Sequence, residues 1–233
     1  MAYMARTKPN AVILGHSFVA GLADHLARTG QYSLYEHHCA EQLESSNKVH
    51  WVYLVGQSGA KAVAPPSEHC YRQYSLPERL LKNLRPEIAI IDLGTNDLAY
   101  GHTPLNTARA IMAIAVELRD IYQVPIVKIN SLLPRDNLYL YSFDQFSQLV
   151  YDTNANLIHL CEMQPGISYH CHTGFWQMPD GALTHPSVWS YDAIHPNKPL
   201  GRKLYKSSLK TAIHDSVREF KRYNLPLSYM DHY

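Results

Sequence analysis

The sequence predicts an α/β protein with a mostly parallel sheet and helices on both of its faces. Short, near-continuous apolar runs recur along the chain, longer stretches of helical period separate them, and the alternation continues toward the C-terminus. Strands that are apolar on both sides are those buried between two helical layers. A chain of 233 residues can bury one sizeable core, so a single domain over 1–233 is expected.

The first strand is "AVILG" at 11–15, β-branched and closed by a glycine. "SFVAGLADHLART" (17–29) follows with helical spacing. The second strand is "VHWVYLVG" (49–56), after which 57–75, with its "APPSEHC", reads as a surface loop. "LPERLLKNL" (76–84) is a short helix, and "EIAIIDLG" (87–94) is the third strand. Thr103 before Pro104 is an N-cap with proline at the first helical position, which opens a helix over 103–122. "PIVKIN" (125–130) is the fourth strand, 143–163 a helix, "GISYH" (166–170) the fifth strand and 199–223 the last helix.

Composition removes several function classes. The 21 Lys and Arg against 20 Asp and Glu leave a formal charge of +1 with no block of like charge, so neither nucleic acid nor an anionic membrane is expected as a partner. No stretch approaches the ~18 apolar residues of a membrane span. The apolar run after the N-terminal basic residues is too short for a signal-peptide core, and Cys39, Cys70, Cys161 and Cys171 form no C-x-x-C pair. Free thiols and a cytoplasmic location are the expectation.

In a parallel α/β sheet, ligands bind beyond the carboxyl ends of the strands. Four polar clusters fall at such ends or at the start of the last helix: "GHS" (15–17), "QSGA" (57–60), "GTND" (94–97) and "YDAIHPN" (191–197). Asp192 and His195 are three apart, so the carboxylate can orient the imidazole as a general base. A base of this kind activates a neutral hydroxyl, and Ser17 is the candidate nucleophile; as a lone residue it would more readily be a helix N-cap. The Ser17 and Gly59 backbone N–H groups and the Asn96 amide are the donor types an oxyanion hole uses.

Taken in order, these four blocks resemble the SGNH hydrolase family, the superfamily that includes the GDSL esterases and lipases, over Gly15 to Pro196. The resemblance implies a flavodoxin-like three-layer α/β/α sandwich with a five-stranded parallel sheet in the order 2-1-3-4-5. It implies a serine esterase that needs no cofactor and no metal: Ser17 as nucleophile, His195 as base, Asp192 as acid, and Ser17, Gly59 and Asn96 as oxyanion donors. Gly56 is the other candidate for the family glycine. The implied substrate is a small acyl ester, such as an acetylated sugar or a short-chain lipid ester. One position departs from the pattern, because the family's G-D-S reads G-H-S here, with His16 in place of an aspartate that braces the nucleophile loop.

By position, Phe18, Trp189 and Tyr139 are candidate substrate-binding residues, Tyr139 within the aromatic group Tyr139, Tyr141, Phe143 and Phe146, which could equally cover the core. His170 and His172, on one side of a strand end, make a conceivable metal pair, but no second ligand cluster lies nearby in sequence, and strand-end polar residues are the simpler reading. A second function on the same fold is a non-catalytic binding or accessory module. "NSLLPRDN" and the helix after it are similar to SGNH-like domains carried in some retroelement-encoded proteins.

Overall fold

The computed structural model describes residues 8–28, 33–35, 38–41, 51–64, 73–135, 140–172, 194–197 and 200–223. Its sheet has seven strands in the order β2-β3-β4-β1-β5-β6-β7. Five are parallel: β1 (Ala11–Gly15), β4 (Val52–Gly56), β5 (Ile88–Asp92), β6 (Ile126–Asn130) and β7 (Ile167–His170). Their spatial order is the predicted 2-1-3-4-5. Unforeseen from sequence is an antiparallel edge, β2 (Ser33–Tyr35) and β3 (His38–Glu41), paired onto β4. These strands are three and four residues long, too short for an apolar period to register.

Alternation along each strand feeds two cores. Val12 and Leu14 of β1 join one apolar cluster, which also takes buried residues of α2 (Glu78–Leu84), α4 (Pro104–Asp120) and α5 (Phe143–Glu162). Ala11 and Ile13 join the other, beneath α1 (Ser17–Arg28) and α6 (Gly201–Tyr223). Both faces of the strands are therefore covered, as the near-continuous apolar runs required.

Local chemistry sets the helix starts. Thr103 caps α4 by accepting the Asn106 N–H at 3.3 Å, with Pro104 behind it, and Ser142 and Gln145 form a capping box for α5. Lys128, the one charged residue of β6, is buried and donates to Glu219 at 2.6 Å, which ties α6 to the sheet. Among the described residues, no helix is long and apolar enough to cross a membrane.

Register decides where polar residues meet. Gly15 pairs with Gly56 on one side and Asp92 on the other, and Asn130 pairs with His170, so the strands end along one common edge. Gly56 is needed for packing: a Cβ there would lie 2.1 Å from the Ala20 backbone nitrogen, so α1 could not approach.

Candidate active site

The chain turns from β1 straight into α1, and the turn settles which residue caps the helix. The His16 carbonyl accepts the Ala20 N–H at 3.1 Å, which makes His16 the N-cap and Ser17 the first helical residue. His16 Nδ1 accepts the Phe18 N–H at 3.4 Å and lies 3.5 Å from Ser17 Oγ. The Ser17 side chain is thus not committed to capping. Burial pushes the His16 pKa down to about 4; Asp92 opposes the shift, while Arg135, His195 and His172 add to it. At neutral pH the ring is uncharged, with Nδ1 the acceptor and Nε2 lying 3.7 Å from Asp92 Oδ1, beyond hydrogen-bond reach.

Asp92 is the knot beneath this turn. Its Oδ2 accepts from Tyr205 Oη at 2.8 Å, His172 Nε2 at 3.1 Å and Asn130 Nδ2 at 3.2 Å. Burial alone would raise its pKa, but the His172 hydrogen bond and charge, the charge of His16 and the Tyr205 hydrogen bond together hold it below the ordinary carboxylate value. Beyond it, His172 Nδ1 meets Ser208 Oγ at 2.9 Å and His170 Nε2 meets the same hydroxyl at 3.2 Å. Protons can be assigned consistently along this chain, with His170 donating to Ser208, Ser208 to His172 and His172 to Asp92. Both His172 nitrogens are therefore engaged in linking β5, β7 and α6, the strand-end reading of that pair.

The loop after β4 carries Gly59, and Asn96 is the second residue of α3 (Thr95–Ala99), a short helix that follows β5. Gly59 has φ +74° and is exposed, with open space around it, unlike the packed Gly56. Asp97 fixes this loop by accepting from Val63 N at 2.8 Å and Ala62 N at 3.1 Å. Asn96 Nδ2 donates to Ala60 O at 3.0 Å, and its Oδ1 accepts from Arg135 Nη1 at 3.0 Å. An Arg only donates and a carbonyl only accepts, so the two contacts agree on which end of the amide is which. An amide carries two N–H groups, and Ala60 takes one. Lys61, also buried, lies over the Tyr100 ring at 3.6 Å.

His195 joins from the loop before α6. A cavity of about 40 Å³ is lined by Ser17, Phe18, Gly21, Leu22, His195, Pro196, Arg202 and Tyr205. Phe18 is only 4 % exposed, with its ring edge-on to His16, His195 and Tyr205 at 4.5, 5.9 and 6.0 Å, so it forms a wall of this cavity, not an exposed rim. Asp192, Trp189 and Tyr139 lie outside the described residues. Of the remaining aromatics, Phe146 is fully buried in the core and Tyr141 packs on it at 6.4 Å.

Three residues of this corner escape a reading by sequence. Asp92 is a charged residue closing an apolar strand, Asp97 follows the asparagine of interest, and Arg135 sits just beyond the fourth strand, where ligand contacts collect. The signal for each is its position at a strand's carboxyl end. Around Arg135 the neighbouring aromatics are the more conspicuous feature.

The model of the GDSL-like lipase/acylhydrolase family matches residues 13–199. No curated protein matches the chain. Among solved structures, a GDSL-like lipase from Bacteroides thetaiotaomicron is 17 % identical with a TM-score of 0.59, covering 93 % of each chain. An aryl esterase from M. smegmatis is 17 % identical with a TM-score of 0.57, over 91 % of this chain and 99 % of its own. A carbohydrate acetylesterase from Sinorhizobium meliloti is 16 % identical with a TM-score of 0.56, over 91 % of this chain and 100 % of its own. At these identities the likeness concerns the fold.

Proposed function

The chain belongs to the GDSL-like lipase/acylhydrolase family, and from that premise we propose that it is a serine esterase of small acyl esters. Ser17 Oγ attacks the ester carbonyl carbon and its proton passes to His195, which Asp192 orients. The tetrahedral oxyanion is held by the Ser17 and Gly59 N–H groups and by the second Asn96 N–H. His195 returns the proton to the departing alkoxide, and a water deprotonated by the same imidazole then releases the acid from Ser17. The mechanism calls on no metal or organic cofactor.

The observation that carries this reading is that Ser17 and His195, from opposite ends of the chain, line one cavity. An acetylated sugar or a short-chain lipid ester is the substrate class, in line with the carbohydrate acetylesterase among the similar folds.

Hydrolysis of p-nitrophenyl esters of increasing chain length, beside Ser17→Ala, is the test. The expected result is fastest turnover of the acetyl ester and a fall of about 10⁴-fold or more in Ser17→Ala. Fluorophosphonate should label Ser17. A folded protein with neither turnover nor labelling would instead be the non-catalytic accessory module that the replacement of the family aspartate by His16 keeps in view.

A further inference from the structure

We propose that Arg135 is a positioning residue of the oxyanion site, holding and polarising the Asn96 amide so that its second N–H is aimed at the developing oxyanion. The proposal rests on the esterase reading above. It begins from the direction of one hydrogen bond: Arg135 Nη1 donates to Asn96 Oδ1 at 3.0 Å, while the other end of the same amide donates to Ala60 O at 3.0 Å. Clamped at both ends, the planar amide cannot rotate about its last torsion, and the geometry of the remaining N–H is fixed before substrate arrives. Preorganised donors of this kind cost nothing to orient in the transition state.

The clamp is also electronic. A cation on a carbonyl oxygen draws electron density from the amide and makes its N–H a stronger donor, a charge-assisted arrangement in a water-poor site. Asn96 is 7 % exposed, so the interaction is poorly screened. The field of this guanidinium reaches the nucleophile's neighbourhood, because Arg135 lowers the pKa of both His16 and Lys61.

Arg135 therefore acts through Asn96, which gives the proposal a test that a merely structural residue would fail. The experiment is a double-mutant cycle of Arg135→Gln, Asn96→Ala and the combined variant, with Arg135→Lys alongside, on p-nitrophenyl acetate and on an ester carrying a carboxylate. Arg135→Gln is expected to lower kcat by about 10- to 100-fold with KM within about threefold, since it weakens an interaction felt mainly in the transition state. In the Asn96→Ala background the same change should cost less than about threefold, the non-additivity of coupled groups. Arg135→Lys, which keeps the charge but loses the planar fork, should recover part of the rate. Additive losses would overturn the proposal. So would a rise in KM confined to the carboxylate-bearing ester, which would make Arg135 a substrate-anion contact. Absence of Ser17-dependent turnover in the unmodified protein would instead remove the esterase reading beneath it. Melting temperatures exclude variants that lose rate by unfolding.

Discussion

The floor beneath Ser17 and the wall beside it are both organised by a buried aspartate, and the two do opposite work. Asp92, on the floor, is bound by side chains of β6, α6 and the segment after β7 and is held ionised, its pKa below the ordinary value. Asp97, in the wall, is bound by two backbone N–H groups of a single loop, and burial pushes its pKa up despite them. A carboxylate shared among distant elements stabilises the whole fold. One spent on adjacent amides of a loop fixes the shape of that loop, here the one bearing Gly59.

Stability measurements would break or sharpen this contrast first. Asp92→Ala leaves a phenol, an imidazole and an amide buried without their acceptor, and should cost about 3–5 kcal/mol in urea unfolding. Asp97→Ala strands two backbone N–H groups of one loop, that of Ala62 buried, and should cost about 1–3 kcal/mol. Equal losses would show that the wall is as much a tertiary cross-link as the floor.

Activity should follow the wall. Asn96→Ala is expected to lower kcat by about 10²- to 10³-fold because it removes one preorganised donor from the oxyanion, and to cost about 1–3 kcal/mol of stability because it strands Arg135 and the Ala60 carbonyl. Asp97→Ala should lower kcat by about tenfold by loosening the Gly59 loop, a barrier change of ~1.4 kcal/mol. A variant of Asn96 with unchanged kcat would reduce its role to turn chemistry.

The contrast also explains what the sequence could reveal. The five parallel strands and the starts of the longer helices were legible, since period, caps and glycines are local signals, whereas the strand order came from the family resemblance; Thr103 and Ser17 were placed correctly at helix starts without any tertiary information. The polar residues of the four blocks were legible because their types and spacing carry chemistry. Asp92 and Arg135 were not, because their importance lies in partners far along the chain: Tyr205 and His172 for one, Asn96 for the other. The exchange of capping duty from Ser17 to His16 was hidden for a related reason. An imidazole becomes a good N-cap acceptor only when burial keeps it neutral, and burial is a tertiary property.

His16 supplies the smallest effect on activity and the sharpest test of the floor. In the unmodified protein its folded pKa, about 4, lies below the ordinary value of 6.5, so the unfolded chain binds the proton first and stability falls as pH drops from 6.5 toward 4. His16→Asp would still cap Phe18, aspartate being a favoured N-cap, but it would set a second buried carboxylate against Asp92. Two such carboxylates cannot both ionise freely, so the pair keeps a proton and its apparent pKa rises above that of the unfolded chain. The contribution of this pair is then present at low pH and lost as pH rises through the raised value. Between pH 4 and 6.5 the unmodified protein and the His16→Asp variant should therefore differ in the sign of this contribution, while His170, also pushed down to about 4, adds the same acid slope to both. Adding Asp92→Asn to His16→Asp should cancel the repulsion, since the new amide can donate to the new carboxylate while its oxygen still accepts from Tyr205. That double variant should keep kcat/KM within about tenfold of the unmodified enzyme, ~1.4 kcal/mol of barrier. Melting temperatures of the single and double variants across this pH range are the measurement. If His16→Asp tracked the unmodified protein at every pH, His16 and Asp92 would not sense each other, and the floor would have to be held by the Tyr205, His172 and Asn130 contacts alone.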